Sequence, residues 1–476
     1  MTSPDAARRA GWLPLAVVAG VALHGAALWG FTVDDAWIPA RYAHHLHEGV
    51  GYRFNPGGPV TDGVTPLAFA WLLAPFAASI DAALSAARVV GAASVLLGMW
   101  ALARAVERAT EHDKLARLAL LLPLGSTPLA AWATAGLETG LVTGLVSVGL
   151  AAGASGAARG GALLLGVAAS QRPELVPLAL VASLAPRVEA KELAPYARVQ
   201  VARWILALLP FVMVCVARGI AFGRVAPLSI HAKAPVASLG FGYALAGVLF
   251  AGPVALVGVR GLARAASPTR WLVAAVCAHV VSVGTAGGDW MPLSRLFVPA
   301  LPVVTLAAAG LVAARRARLV WLVLALVGQG WVTASVAPSA RQVMRDRERV
   351  RAELGPIVAR HRVVVTVDAG WVGSVTQGTV LDAAGVTDPV VAALPGGHTT
   401  RKLSPTLMAT RGVDAAVLLL AAGPHPAGVP WWELPMARGA EAWLARSLGG
   451  EEGFVEVGRS SLPSLPYVVV APRVAP

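Results

Sequence analysis

The sequence predicts a polytopic α-helical membrane domain, residues 1–336, followed by a soluble α/β domain, residues 337–476. Three observations predict it. The chain of 476 residues is 56% hydrophobic and only 14% charged, with a mean hydropathy of +0.66, whereas soluble domains are charged at roughly a quarter of positions. Apolar runs of about 20 residues, enough to cross a bilayer, recur from the N-terminus to about Val336. From Ala337 onward charge is ordinary, Pro and Gly are frequent and the apolar runs are short and Val-rich, as in a water-soluble domain of common size. The net charge of +13 does not indicate nucleic acid. The basic residues cluster in short loops between apolar runs, the pattern of topology signals. Cys215 and Cys277 both lie inside apolar runs and read as small core residues. No disulfide framework is visible and the redox compartment stays open.

The elements follow in order. Arg8 and Arg9 precede the first run, Trp12 to Gly30, which places the N-terminus in the cytoplasm. That run is read as an uncleaved anchor, because the polar motif starting at Asp34 needs a membrane helix beside it. Pro66 to Ala78 is short and bounded by Pro, a helix at the outer interface. Val89 to Ala103 crosses inward to the basic loop RAVERATEHDKLAR. Leu115 to Thr134 returns outward to AGLETG, and Leu141 to Ala154 crosses back to Arg159. Gly160 to Pro186 is broken by QRPE. The residue before a Pro disfavours helix, so a break near Arg172 is expected, giving a hairpin of two short helices with RPE near its outer tip. Trp204 to Ala221 leads out to FGRVAPLSIHAKAP, Tyr243 to Val259 comes in, and Trp271 to Thr285 goes out to GGDWMPLSR. Leu296 to Ala314 comes in, and Leu319 to Val336 goes out. The count is about eleven spans, with every basic short loop inside and every unusual polar motif outside. In the tail, a charged helix from Ser339 to His361 leads to a strand at Val363 to Val367 ending in DAGW. VLDAAGVTD, AAVLLL and YVVVAPR follow as further apolar runs, which suggests a small α/β layer.

The motifs carry the chemistry. Asp34 and Asp35 stand where a membrane helix ends. The plain reading is a wet helix end, but acids at a membrane face are rare enough to be functional candidates. A carboxylate held at a half-dry edge beside a like charge gains proton affinity, which suits a general base. Arg41 and Tyr42 follow within two turns. Glu138 in GLET is either an acid favoured by the dipole of the next helix or a site group. Arg172 and Glu174 flank a Pro, either as a local ion pair or with the Arg172 fork on a phosphate. His231 and Lys233 lie in HAKAP. In GGDWMPLSR, Gly287 and Gly288 allow close backbone approach, and Asp289 and Arg295 bracket a Trp and a Pro. His44, His45 and His47 do not share one helical face, so no metal site is assigned. A P-loop is absent, so no nucleotide site is indicated.

Taken in order, DDAWIPARYAHHLHEGVGYRFNPGGPVTDGVTP, AGLETG, QRPE, APLSIHAKAP and GGDWMPLSRLFVPALP resemble the membrane-embedded C-type glycosyltransferases, the GT-C class. They are most similar to the bacterial terminal β-(1→2)-arabinofuranosyltransferases and their wider relatives. The tail stretch VDAGWVGSVTQGTVLDAAGVTDPVVA resembles the extracytoplasmic domain of those proteins. The resemblance implies a GT-C bundle in the cell membrane with an extracytoplasmic C-terminal domain. It implies transfer of a sugar from a polyprenyl-phosphate donor to an envelope glycan acceptor. It puts the catalytic acids at Asp34 and Asp35, the GGD motif at Asp289 with Arg295 beyond it, and the RPE motif at Arg172 and Glu174. The chain departs from the family at Ile230 and His231, where relatives often carry Tyr, and Trp37 stands where relatives vary. Arg172, Lys233 and Arg295 are the candidates for the donor phosphate. Arg41, Tyr42, Glu138, Glu174, His231 and Asp289 are the candidates for substrate binding. No cofactor is implied, and whether a divalent metal helps the phosphate leave stays open. The rival from another class is a transporter or flippase for a lipid-linked or small anionic substrate, since intramembrane charges and broken helices also mark transport. It needs the acids near the midplane, whereas here they fall at the outer ends of spans.

Overall fold

The computed structural model describes residues 12–184, 193–232, 237–258, 262–423, 425, 428–450 and 453–473. The chain divides into two compact units. The first comprises Met1–Phe31, Arg88–Val214 and Pro235–Arg341; the second comprises Thr32–Ala87, Cys215–Ala234 and Gln342–Pro476. The second unit therefore takes in the polar segments around DDAW and HAKAP as well as the tail. The boundary expected at 336/337 falls inside one helix, Leu319–Val358. The apolar run and the charged helix expected as separate elements are continuous, because between them only Pro338 lacks a helix N–H and no cluster of breakers intervenes.

The first unit is helical. Among the described residues of the whole chain, four helices are long and apolar enough to cross a membrane by length and composition: Ile80–Ala109, Arg198–Phe222, Arg295–Ala314 and Arg316–Val358. Shorter apolar helices such as Trp12–Ala27, Thr139–Ser155 and Ser238–Phe250 accompany them, and the expected count of about eleven crossings requires these shorter pieces. Thr139–Ser155 packs on Ala158–Gln171, and Ser267–Thr285 packs on Val176–Ser183, Ala237–Phe250 and Leu301–Ala314. The break expected at QRPE is present. Ala158–Gln171 ends, Arg172 is extended (φ −140°, ψ 94°), and a 3-10 turn Pro173–Leu175 leads into Val176–Ser183.

The second unit is built on a five-stranded sheet of β1 (Val363–Thr366), β2 (Thr379–Asp382), β3 (Ala415–Leu419), β4 (Phe454–Arg459) and β5 (Tyr467–Pro472), in the order β2-β1-β3-β5-β4. β1 pairs in parallel with β2 and β3, while β5 is antiparallel to β3 and β4. The central strands are almost wholly apolar, Thr366 at the end of β1 apart, as befits strands buried on both faces. Val365, Leu381, Ala416, Leu418, Val468 and Val470 face a core shared with the helix Gly439–Leu448 and Trp431. Val364, Val380, Ala415, Val417 and Val469 face the other way, onto Ile38, Tyr42, Phe54, Leu354 and Trp371. The expected strands at Val363–Val367, VLD, AAVLL and YVVV are all found; β4 is additional.

Candidate functional site

The acid pair sits in the second unit, on a one-turn 3-10 helix, Asp34–Ala36. The two residues are used differently. Asp34 is 3% exposed, and its carboxylate accepts the backbone N–H groups of Gly370 (2.9 Å) and Trp371 (2.8 Å). It thus satisfies two orphan donors at the start of the helix Ala369–Val375. The glycine in DAGW is explained by this contact, since a Cβ at Gly370 would lie 2.0 Å from the Asp34 carbonyl oxygen. Asp35 is only partly buried.

Around Asp34 lies a charged network drawn from the tail. Asp368 takes both arms of the Arg438 fork (2.9 and 2.7 Å) and the Tyr467 hydroxyl (2.6 Å), while Arg438 also binds Glu441. Burial, and after it the Asp368 charge, push the Asp34 carboxyl up to about 7, with Arg347 opposing. Burial also works against the Asp368 charge, but Arg438 and Tyr467 outweigh it and hold that group below the usual carboxylate range. Arg347 Nη1 stands 3.8 Å from Asp34 Oδ1. Its buried Nε and Nη1 have no hydrogen-bond partner among the described residues. Sequence reasoning missed Arg347, which looks in RQVMRDRERVR like any base on a solvated helix.

Arg41 and Tyr42, expected at the substrate, are bonded to groups of their own unit. Arg41 is 1% exposed and donates to the carbonyls of Phe54 (2.7 Å), Thr376 (2.8 Å), Gly378 (3.2 Å) and Gly373. Its fork is spent on fixing segment 373–378. The buried Tyr42 hydroxyl pairs with Thr61 Oγ1 at 2.6 Å and accepts from Gly63 N–H. His44, His45 and His47 each donate Nδ1–H to a carbonyl, of Ala77, Arg53 and Ala74 respectively, so they hold the helix Trp37–His47 in place. No group of three or more metal-ligating side chains occurs among the described residues. A buried pair that the sequence did not single out, Arg218 Nε and Asp62 Oδ2 at 2.7 Å, joins Cys215–Ala234 to the first segment of this unit. His231 is exposed, at the end of the short helix Leu228–Ala232. Lys233 lies outside the described residues.

The remaining candidates gather in the first unit. Arg172 binds Glu138 Oε1 and Glu174 Oε1, both at 2.7 Å and all three largely buried. Both plain readings are realised here: Glu138 immediately precedes Thr139–Ser155, and Arg172 and Glu174 are a local ion pair. Two carboxylates offset the charge of Arg172, and their bonds use two of its five N–H donors. His279, unremarked in the sequence, is fully buried and bonds the Glu174 and Leu296 carbonyls. Arg295 meets Asp289 at 2.6 Å, stacks over the Trp132 ring at 5.6 Å and keeps a buried Nε with no partner among the described residues. The segment leading to it is strained. After Gly287 (φ +87°) and Gly288 (φ +70°), Leu293 (φ +59°) and Ser294 (φ +46°) are left-handed without being glycine. Such strain persists only where surroundings enforce it, and it clusters at functional positions.

No protein-family model matches the chain, and no curated protein is similar to it in sequence. Two solved structures are similar in fold: ArnT from Cupriavidus metallidurans in the apo state (TM-score 0.55) and ArnT from the same organism bound to undecaprenyl phosphate (TM-score 0.54). Each is 13% identical over 97% of this chain and 98% of the ArnT chain. At that identity the likeness is one of fold. The chain is a mostly helical, multi-pass membrane protein with the GT-C fold and a mixed α/β sheet region at its C-terminus.

Proposed function

We propose that the protein is an inverting glycosyltransferase of the cell membrane. It moves a sugar, arabinofuranose or a similar one, from a polyprenyl-phosphate donor to an envelope glycan, with its N-terminus cytoplasmic and its sheet region extracytoplasmic. The observation that carries the reading is the division of the acid pair. Asp34 is buried and bonded to two backbone amides, while Asp35 is partly exposed beside it and so accessible to a sugar hydroxyl. Arg347, next to Asp34 and with unpaired buried N–H groups, is suited to a phosphate. Arg295 and Lys233 stay candidates, while Arg172 serves to position Glu138 and Glu174. The full-length fold likeness to a protein solved with undecaprenyl phosphate supports a lipid-linked donor.

In the step proposed, the acceptor hydroxyl gives its proton to Asp35 as its oxygen bonds the anomeric carbon. The bond from that carbon to the phosphate oxygen breaks, and the phosphate leaves with the electron pair, its growing charge met by an arginine. Direct displacement inverts the anomeric centre. The test compares Asp35→Asn with the parent in detergent, transferring from a short polyprenyl-phosphate arabinose to a synthetic oligosaccharide. Asp35→Asn should lose about a hundredfold or more in rate with donor binding intact. A variant as fast as an active parent would remove Asp35 from the mechanism.

A further inference from the structure

The helices that hold the charged cluster of the first unit converge again at their other ends, around a cavity of about 530 Å³. Thr139–Ser155 follows Glu138 and contributes Gly153. Ala158–Gln171 ends at Arg172 and contributes Gly161. Val176–Ser183 follows Glu174 and contributes Ser183, and Ser267–Thr285 carries His279 and contributes Thr269. At 1.5 Å per residue the cavity lies roughly 15–20 Å along these helices from the charged cluster. It is a separate site.

Its walls are mainly apolar, and two arginines, Arg203 and Arg264, complete its lining. Among the described residues neither belongs to an ion pair. Arg203 has one long contact, to Gln200 Oε1 at 3.4 Å, and a buried Nε without a partner. Arg264 is exposed on the turn Leu262–Arg264. The sequence adds more positive charge at the same helix ends, with Arg159, Arg270, Arg315 and Arg316. An apolar chamber of ligand size with unneutralised guanidinium groups suits a molecule with a hydrocarbon chain and an anionic head. Basic helix ends also mark the membrane face to which anionic lipid heads are drawn.

The geometry points to a binding site for an anionic phospholipid: one acyl chain in the cavity and the phosphate on Arg203 and Arg264. It does not depend on the transferase reading. The test is native mass spectrometry of the full chain, offered phosphatidylglycerol, phosphatidylethanolamine or a short polyprenyl phosphate. Two variants address the two halves of the site. Arg203→Gln with Arg264→Gln removes the head contacts. Gly153→Leu fills the chamber without disturbing the helix, because a Cβ at Gly153 meets nothing within 4 Å and Leu favours helix over Gly. Phosphatidylglycerol should bind the parent in preference to phosphatidylethanolamine. Its affinity should drop roughly 30-fold in the double variant, and Gly153→Leu should lose the bound lipid while unfolding at the parent's temperature. Equal binding of the two phospholipids, or phosphatidylglycerol binding unchanged in both variants, would overturn the proposal. So would polyprenyl phosphate displacing phosphatidylglycerol from the parent and losing affinity in the same variants, since the cavity would then be a prenyl site.

Discussion

Replacing Asp34 by Ala should release the helix Ala369–Val375 before it touches chemistry. The side chain accepts two buried backbone N–H groups, of Gly370 and Trp371, and each left unsatisfied costs about 1–3 kcal/mol. The carboxylate is itself expensive to bury, as its elevated proton affinity shows, and removing it returns part of the loss. A net cost of about 3 kcal/mol results, which raises local opening roughly a hundredfold. Hydrogen–deuterium exchange on peptides covering 367–375 of the detergent-purified protein reads that opening directly. Protection of the Gly370 and Trp371 amides should fall by that factor. Asp34→Asn, whose amide oxygen keeps one of the two acceptor roles, should lose about half as much free energy. If protection in Asp34→Ala matches the parent while sugar transfer disappears, the anchor argument is wrong. Asp34, rather than Asp35, would then be the acid that does the chemistry.

Two further perturbations test buried charge in each unit. Burial raises the Asp382 carboxyl to about 6 despite its bonds to Thr387 and Ala384. A raised folded value means its stabilisation is fully present below about 3.8 and is lost as pH climbs through about 6. Melting temperature relative to Asp382→Asn should therefore fall between pH 4 and 7, by the equivalent of about 3 kcal/mol at most; a constant difference across that range would refute the assignment. In the first unit, Arg172→Gln strands Glu138 and Glu174 without their cation, which should cost about 3–5 kcal/mol and lower the melting temperature by several degrees. Adding Glu138→Gln should recover part of that loss, and a double variant less stable than the single one would show that the three groups are not coupled as described.

Much of the fold was legible because bilayer and sheet impose simple patterns. The helix break at Arg172 follows from a Pro in an apolar run, and four of the five strands from Val-rich stretches. β4, FVEVGR, was missed because it is an edge strand, with Glu456 and Arg459 exposed and a register irregularity between Glu456 and Gly458. The compact units are divided differently from the expected boundary at 336/337 for another reason. Hydropathy reports where each residue sits along the chain, whereas the segments 32–87 and 215–234 join the tail through long-range bonds such as Asp34 to Gly370, Asn55 to Val380 and Arg401 to the Ala232 carbonyl. No local pattern encodes such bonds.

The bonds that the candidate residues make were not legible in the sequence, and the arginines show why. Arg41, Arg172 and Arg347 are equivalent in sequence, each a base near acids or a membrane edge. In the fold Arg41 gives four of its five N–H donors to carbonyls and Arg172 pairs with two carboxylates. Arg347 meets one carboxylate at long range and has N–H groups to spare. A guanidinium has five donors, and what it can offer an incoming phosphate is what its own chain has not already taken. The same bonds separate the two aspartates: Asp34 is buried with both oxygens on backbone amides, whereas Asp35 is partly exposed. Adjacent identical residues thus acquire different surroundings from bonds made more than 300 positions away.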